Sequence, residues 1–174
     1  NVVVAVPNDL FGIQARGGCS CAGPYGHRLL GIDAATSRRF EDQIAAGCEV
    51  IKPGWVRINF NYFIPQAEFE YLVDAVHLVA EEGWKLLPRY RFEAASGVWR
   101  HRDGLAAPPL TLAGFLGESR SERHTEPIER LAEYLAEGRR ILGQVATGCE
   151  DATGLPPAAE PLRWFPLPAE AAPR

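Results

Sequence analysis

The chain has 174 residues, of which 47% are hydrophobic and 10% aromatic, enough for one globular domain with a buried core plus an extension. Its net charge of −4 excludes a general nucleic-acid binder and a polybasic membrane anchor, and no apolar run is long enough to span a bilayer. Four cysteines are too few for a disulfide scaffold of this size, so we expect a reducing, cytoplasmic setting.

The chain opens with an apolar run over residues 2–11, which predicts a short helix. Gly12 follows the run and is suited to the left-handed conformation that ends many helices. Pro7 lies inside the run, so we expect it to bend or shorten the helix. Residues 13–15 then form a short candidate strand that leads into a glycine-rich loop.

Two helical segments and a strand are predicted after the loop. Residues 25–32 are suited to a helical turn, and Ser37 is a favourable N-cap for a helix over residues 38–46. Residues 55–63 alternate between apolar and other side chains, and the preceding Lys-Pro-Gly sequence is typical of a turn. This alternation predicts a strand of nine residues.

The middle of the chain predicts a long helix and then an extended segment. Pro65 is suited to the first helical position, and apolar residues recur at helical spacing up to about residue 87. Pro88 is expected to stop this helix because proline removes a backbone donor. Residues 90–101 are predicted to be extended or part of a hairpin, and residues 105–118 are predicted to form a loop.

The C-terminal part predicts one amphipathic helix followed by a tail. Apolar residues recur at helical spacing over residues 126–145, and the tail from residue 148 is rich in Pro, Ala and Glu. Residues 162–167 form an apolar island in this tail, which we expect to dock on the surface of the protein.

Together these elements predict an α+β fold, with a small, mostly antiparallel sheet, helices packed on one face and a helical C-terminal extension. We expect a division into a small domain over residues 1–88 and an extension over residues 89–174. Two convincing strands are few for an independent sheet, and the chain starts at Asn1 with no methionine anywhere. We therefore expect a fragment or processed piece, with a further strand upstream.

The loop over residues 16–26 contains the chemistry that the sequence offers. Its glycines permit backbone conformations that are closed to other residues. A cysteine on such a loop can be exposed, and the nearby Arg16 can raise its thiolate fraction by lowering its pKa. A thiol nucleophile requires this arrangement.

The segment RGGCSCAGP at residues 16–24 resembles the small-domain loop of class V aminotransferases, of the cysteine desulfurase and selenocysteine lyase type, which has the form R-x-G-x-x-C-A-x-P. The resemblance places Cys21 at the position of the catalytic, persulfide-forming cysteine. It also places Arg16 at the position of a loop arginine that helps to bind the substrate.

The segment WVRINFNYF at residues 55–63 and the helix after it are similar to the next part of that domain. The resemblance makes Arg57 the residue that binds the α-carboxylate of an amino-acid substrate, which suits the planar, two-pronged guanidinium group. It covers residues 1–88 and implies the small-domain fold of fold-type I pyridoxal phosphate enzymes. It also implies a separate large domain and a homodimer when the enzyme is intact.

Pyridoxal phosphate is the cofactor that the resemblance implies for the intact enzyme. The cofactor needs a Schiff-base lysine, which in the family usually follows a histidine in the large domain. The two lysines of the chain, Lys52 and Lys85, do not follow a histidine. We therefore expect the chain alone to bind no cofactor and to be inactive.

Two alternatives remain open at this point. The chain can be a catalytically inert fragment or interaction module that retains the fold. It can also be a small thiol or metal-binding protein built on Cys19 and Cys21, with His27 as a further ligand. We favour the absence of a metal, because the Cys-x-Cys spacing departs from common zinc patterns.

Overall fold

The computed structural model describes residues 1–18, 23–104, 126–144 and 154–171. Within these ranges the chain has five α-helices and two separate two-stranded antiparallel sheets, which confirms the α+β class. The strands form two short ribbons rather than the single small sheet that the sequence suggested. No helix in these ranges is long and apolar enough to cross a membrane. The predicted loop at 105–118 lies outside the described residues.

The helices and strands are short, except for one helix in the middle of the chain. The helices are α1 (Val2–Phe11), α2 (Gly23–Leu30), α3 (Ala34–Ala45), α4 (Gln66–Glu82) and α5 (Leu131–Leu142). The strands are β1 (Arg16–Gly18), β2 (Trp55–Arg57), β3 (Tyr90–Phe92) and β4 (Trp99–His101). Strand β1 pairs with β2, and β3 pairs with β4.

Helix α1 packs against α4 and α5. It ends as predicted at Gly12, whose φ of 66° is left-handed and whose N–H donates to the Asn8 carbonyl. Pro7 lies inside the helix without ending it. At its last residue, the Phe11 carbonyl accepts a 2.8 Å hydrogen bond from the buried Tyr71 hydroxyl of α4. This bond fixes the end of α1 against the long helix.

The strand predictions were wrong in their bounds. Strand β1 begins at Arg16 rather than at residue 13, and Ile13 is buried just before it. Strand β2 ends at Arg57 instead of residue 63, because β1 offers it three partners. The next residues turn, and the Asn61 side chain accepts a hydrogen bond from the Phe63 N–H. The alternation of apolar and other side chains over residues 58–63 therefore does not correspond to a strand with one buried face.

The start of α3 also differs from its prediction. Asp33, not Ser37, is the N-cap, and its carboxylate accepts a 2.7 Å hydrogen bond from the Thr36 N–H. This bond lowers the pKa of the Asp33 carboxyl below its usual value. Ser37 is instead buried inside the helix, with its hydroxyl 3.3 Å from Nε2 of His27.

Helix α4 begins at Gln66, one residue later than predicted, with Pro65 as its N-cap, and it ends at Glu82. A 3-10 helix over Gly83–Arg89 follows directly and contains Pro88. The helical path therefore continues through the predicted stop. Pro88 has no N–H to donate, so it leaves one hydrogen bond of this segment unmade without ending it.

The C-terminal predictions were correct in kind. Strands β3 and β4 form the expected hairpin, and α5 lies within the helix predicted at 126–145, of which residue 145 is outside the described residues. The apolar island at 162–167 is docked. Leu162 is buried, and the Trp164 indole N–H donates a 2.9 Å hydrogen bond to the Ile51 carbonyl.

The buried core draws on residues from both sides of position 88. It contains Val6 and Ile51 from the first part of the chain, together with Leu142 and Leu162 from the second. Helix α5 packs on both α1 and α4. The division into residues 1–88 and 89–174 stays a prediction, but the two parts share one hydrophobic core in the described residues.

Candidate functional site

Arg16 and Arg57 are direct cross-strand partners. The sequence separates them by two helices, and the antiparallel pairing of β1 with β2 places the two residues opposite each other. Both residues are exposed. Directly opposed side chains lie on the same face of a ribbon, with their Cβ atoms about 4.5–5.5 Å apart. The ribbon therefore presents two guanidinium groups together to one region of solvent.

This pair is electrostatically unfavourable by itself, because like charges directly opposite each other destabilise a ribbon. Within the part of the chain that the structure describes, no carboxylate forms an ion pair with Arg16 or Arg57. A bound carboxylate would neutralise the repulsion and could accept hydrogen bonds from both groups. The arrangement is chemically suited to binding an anion.

Glycines hold the ribbon close to the helix beneath it. Gly17 pairs with Val56, and a Cβ at Gly17 would lie 2.7 Å from Cγ2 of Val4 in α1. At Gly54, a Cβ would lie 2.6 Å from the carbonyl carbon of Gly18. Such short contacts do not occur between real atoms, so both positions need glycine for the two strands to pack as they do.

The described residues on either side of positions 19–22 both contact β2. Before these positions, Gly18 pairs with Trp55. After them, α2 packs on the same tryptophan, with the Tyr25 ring edge-on at 6.3 Å and Gly26 so close that a Cβ would lie 2.9 Å from the indole. Cys21 itself, like Cys19, lies outside the described residues, so its role stays a prediction.

Cys48 lies within the described residues and is a free, buried cysteine. Burial raises the pKa of its thiol above the ordinary value, which disfavours the thiolate. Cys48 is therefore unsuited to nucleophilic chemistry. Among the described residues, no three His, Cys, Asp or Glu side chains converge on a metal site. The thiol or metal alternative built on Cys19 and Cys21 remains untested.

Each lysine of the chain lies beside a glutamate three residues earlier. Lys52 Nζ lies 3.2 Å from the carboxylate of Glu49, and Lys85 forms an ion pair with Glu82. Surface ion pairs contribute little stability, so these contacts do not decide whether a lysine can form a Schiff base. That the chain alone binds no cofactor stays a prediction.

Sequence reasoning missed a second cross-strand arginine pair, Arg91 and Arg100, in the β3–β4 hairpin. Both residues are exposed and border a groove that also includes His101. The sequence did offer a signal for this pair. Each arginine is the middle residue of a short extended segment, YRF or WRH, and side chains alternate between the two faces of a strand, so both arginines could have been predicted on one face of the hairpin. This pair has no cysteine loop beside it, which makes it a natural control for Arg16 and Arg57.

Comparisons with known proteins identify no relative of this chain. No family model matches the chain, and no curated protein or solved structure matches it.

Proposed function

We propose that this chain is the substrate-binding small domain of a pyridoxal phosphate enzyme of the class V aminotransferase type, which acts on an amino acid. The observation that carries the proposal is the direct pairing of Arg16 with Arg57 across β1 and β2. The resemblance assigned substrate contacts to these two arginines separately. Their adjacency on one exposed ribbon supports a shared role.

Arg57 binds the α-carboxylate of the substrate in this proposal, and Arg16 supports it from the opposite strand. Both groups stay charged at any physiological pH and donate hydrogen bonds in a planar fork. A carboxylate bound between them would reduce the repulsion between the two positive charges and would accept a charge-assisted hydrogen bond from each guanidinium. Helix α1 lies against the opposite face of the ribbon at Gly17. The two arginine side chains therefore have only the solvent-facing side of the ribbon available to them.

Cys21 supplies the second function. It lies five residues after Arg16 in the sequence, and the described residues on either side of positions 19–22 contact Trp55 of β2. If the substrate is cysteine, the Cys21 thiolate would attack its sulfur. An S–S bond would form as the substrate C–S bond breaks, and the electron pair would pass to the substrate carbon, which takes up a proton and leaves as alanine. Arg16, five residues earlier in the sequence, is the positive charge that would favour a thiolate.

Pyridoxal phosphate would be held by a separate large domain that contributes the Schiff-base lysine. The cofactor supplies electron withdrawal from the amino acid, while this chain binds and orients the substrate. A homodimer completes the proposed enzyme. We place it in the cytoplasm, because a loop nucleophile must remain a reduced thiol.

The test uses the complete natural reading frame that contains this sequence. The purified protein should carry stoichiometric pyridoxal phosphate, which borohydride fixes to a lysine outside residues 1–174. It should also release sulfide from cysteine when a thiol reductant is supplied to reduce the persulfide, or transform another amino acid. Cys21→Ala should abolish sulfide release, and Cys19→Ala should leave it intact. Absence of the cofactor would contradict the assignment to a pyridoxal phosphate enzyme. Sulfide release that Cys21→Ala leaves unchanged would contradict the role of Cys21 as the nucleophile.

A second candidate, an interaction module, is favoured by the segment between β2 and α4. Phe60, Tyr62 and Phe63 are 48%, 89% and 76% exposed. Clustered exposed aromatic residues are characteristic of protein contact surfaces. Under the leading proposal this segment contacts the large domain. A complete protein without cofactor and without activity would favour the interaction module instead.

A further inference from the structure

A cavity of about 340 Å³ lies between α1, the β1–β2 ribbon, the end of α4 and the docked C-terminal segment. This volume is within the range of small-molecule sites, roughly 300–1,000 Å³. Neither Arg16 nor Arg57 lines the cavity, so it is separate from the arginine pair. All four tryptophans of the chain line it: Trp55, Trp84, Trp99 and Trp164.

The indole rings surround the cavity without filling it. Three of them pack against other aromatic rings: Trp55 on Tyr25, Trp99 on Phe92 and Phe165, and Trp164 on Phe165. Among the ring contacts of the described residues, none joins two tryptophans. Trp84 and Trp164 line the cavity and are 37% and 52% exposed, so the protein leaves part of each ring uncovered.

Lys52 brings a positively charged group to the cavity. Among the described residues that line it, Lys52 has the one charged side chain, and no Asp or Glu contributes. Lys52 is paired with Glu49 at 3.2 Å, but both side chains are exposed. Such a surface pair contributes little stability, so its ammonium group can accept a second anionic partner.

From this combination we infer that the cavity binds a planar aromatic anion of one or two rings. The rings lie among the indoles, where offset and edge-on aromatic contacts add to the burial of apolar surface. The carboxylate or other acidic group lies at Lys52, which provides a compact positive charge with three donors. This site goes beyond the proposed function and does not depend on it.

Isothermal titration calorimetry of the full chain with 2-naphthoate tests the site. The wild type should bind one equivalent saturably, with a parallel change in tryptophan fluorescence. Lys52→Met should weaken this binding at least fivefold, whereas Lys85→Met, at the other lysine of the chain, should not change it. The neutral 2-naphthamide should bind the wild type and Lys52→Met equally.

A second pair of variants tests the volume of the cavity. Ala80→Phe places a ring into the cavity from α4 and should weaken 2-naphthoate binding at least tenfold. Ala67→Phe, at an exposed position of the same helix away from the cavity, should leave it unchanged. If Ala80→Phe does not fold, the exposed Lys52 variant decides alone. No saturable binding to the wild type, equal effects of the two lysine variants, or wild-type affinity in folded Ala80→Phe would each overturn the inference.

Discussion

Gly138 of α5 lies against the ring of Phe11 in α1, so closely that a Cβ at this glycine would be 2.3 Å from Phe11 Cε1. Phe11 is buried, and its ring also meets Tyr71 of α4 edge-on at 6.4 Å. The three helices therefore converge at a position where one of them has no side chain.

We expect Gly138→Ala to destabilise the protein. Alanine favours the helix by about 1 kcal/mol over glycine, but overpacking a core typically costs about 1–3 kcal/mol. Because Phe11 is enclosed by Tyr71, it has little room to move, and the net free energy of unfolding should fall. Urea unfolding measures this. The control is Gly23→Ala, whose Cβ would meet no heavy atom within 4 Å and which should be close to neutral.

The helices could be predicted because their sequence patterns reflect local rules. The end of α1 at Gly12 follows from the left-handed preference of glycine. The N-cap of α3 was misplaced by four residues because Asp33 and Ser37 are both good caps. The choice between them depends on tertiary contacts: Ser37 is buried beside His27, which no local pattern reports.

The ribbons could be predicted in part, because strand length depends on a partner. The alternation at residues 55–63 suits a strand of nine residues, but β1 supplies three. The pairing of Arg16 with Arg57 depends on the register between β1 and β2. Neither segment specifies that register by its own sequence. The cavity also brings together tryptophans from four distant segments, beyond the reach of periodicity in one window.

Tyr90 and Asp9 should make stability depend on alkaline pH. The Tyr90 hydroxyl donates a 2.9 Å hydrogen bond to the Asp9 carboxylate. The pKa of Tyr90 is raised above its ordinary value, mainly by burial of the hydroxyl and also by this hydrogen bond. The folded protein therefore keeps a proton that the unfolded chain loses above pH ~10. Stability should be full below that pH and decrease as the pH rises further.

Tyr90→Phe should lower the free energy of unfolding at pH 7 by about 1–2 kcal/mol, through loss of the bond to Asp9. It should also reduce the loss of stability above pH ~10, leaving the contribution of the buried Tyr71, whose pKa is likewise raised. Urea unfolding from pH 7 to 11 measures both effects. Tyr25→Phe, at an exposed ring, serves as control. Identical alkaline slopes for wild type and Tyr90→Phe would contradict this account.

Cys48 should be chemically silent in the folded protein. In a variant with alanine at positions 19, 21 and 149, Cys48 is the remaining thiol. Because it is buried and its pKa is raised, it should react with a disulfide reagent far more slowly in the native state than in urea. Equal rates in the two states would show that this part of the core is open.

The repulsion between opposed arginines should be measurable in the chain itself. At low salt, Arg57→Gln should raise the free energy of unfolding by a few tenths of a kcal/mol, and Arg100→Gln should do the same in the other hairpin. Both gains should vanish at about 1 M salt, where charges are screened within ~3 Å. A loss of stability in Arg57→Gln would mean that the guanidinium is already neutralised.

The substrate affinity of the complete enzyme tests the central claim most directly. Arg57→Gln removes one charged donor from the carboxylate site, and a hydrogen bond to a charged group is worth about 1.5–3 kcal/mol. The Michaelis constant for the amino acid should therefore rise at least tenfold, while Arg100→Gln, in the matched pair of the other hairpin, leaves it unchanged. Equal Michaelis constants for the two variants would contradict the assignment of Arg16 and Arg57 to substrate binding.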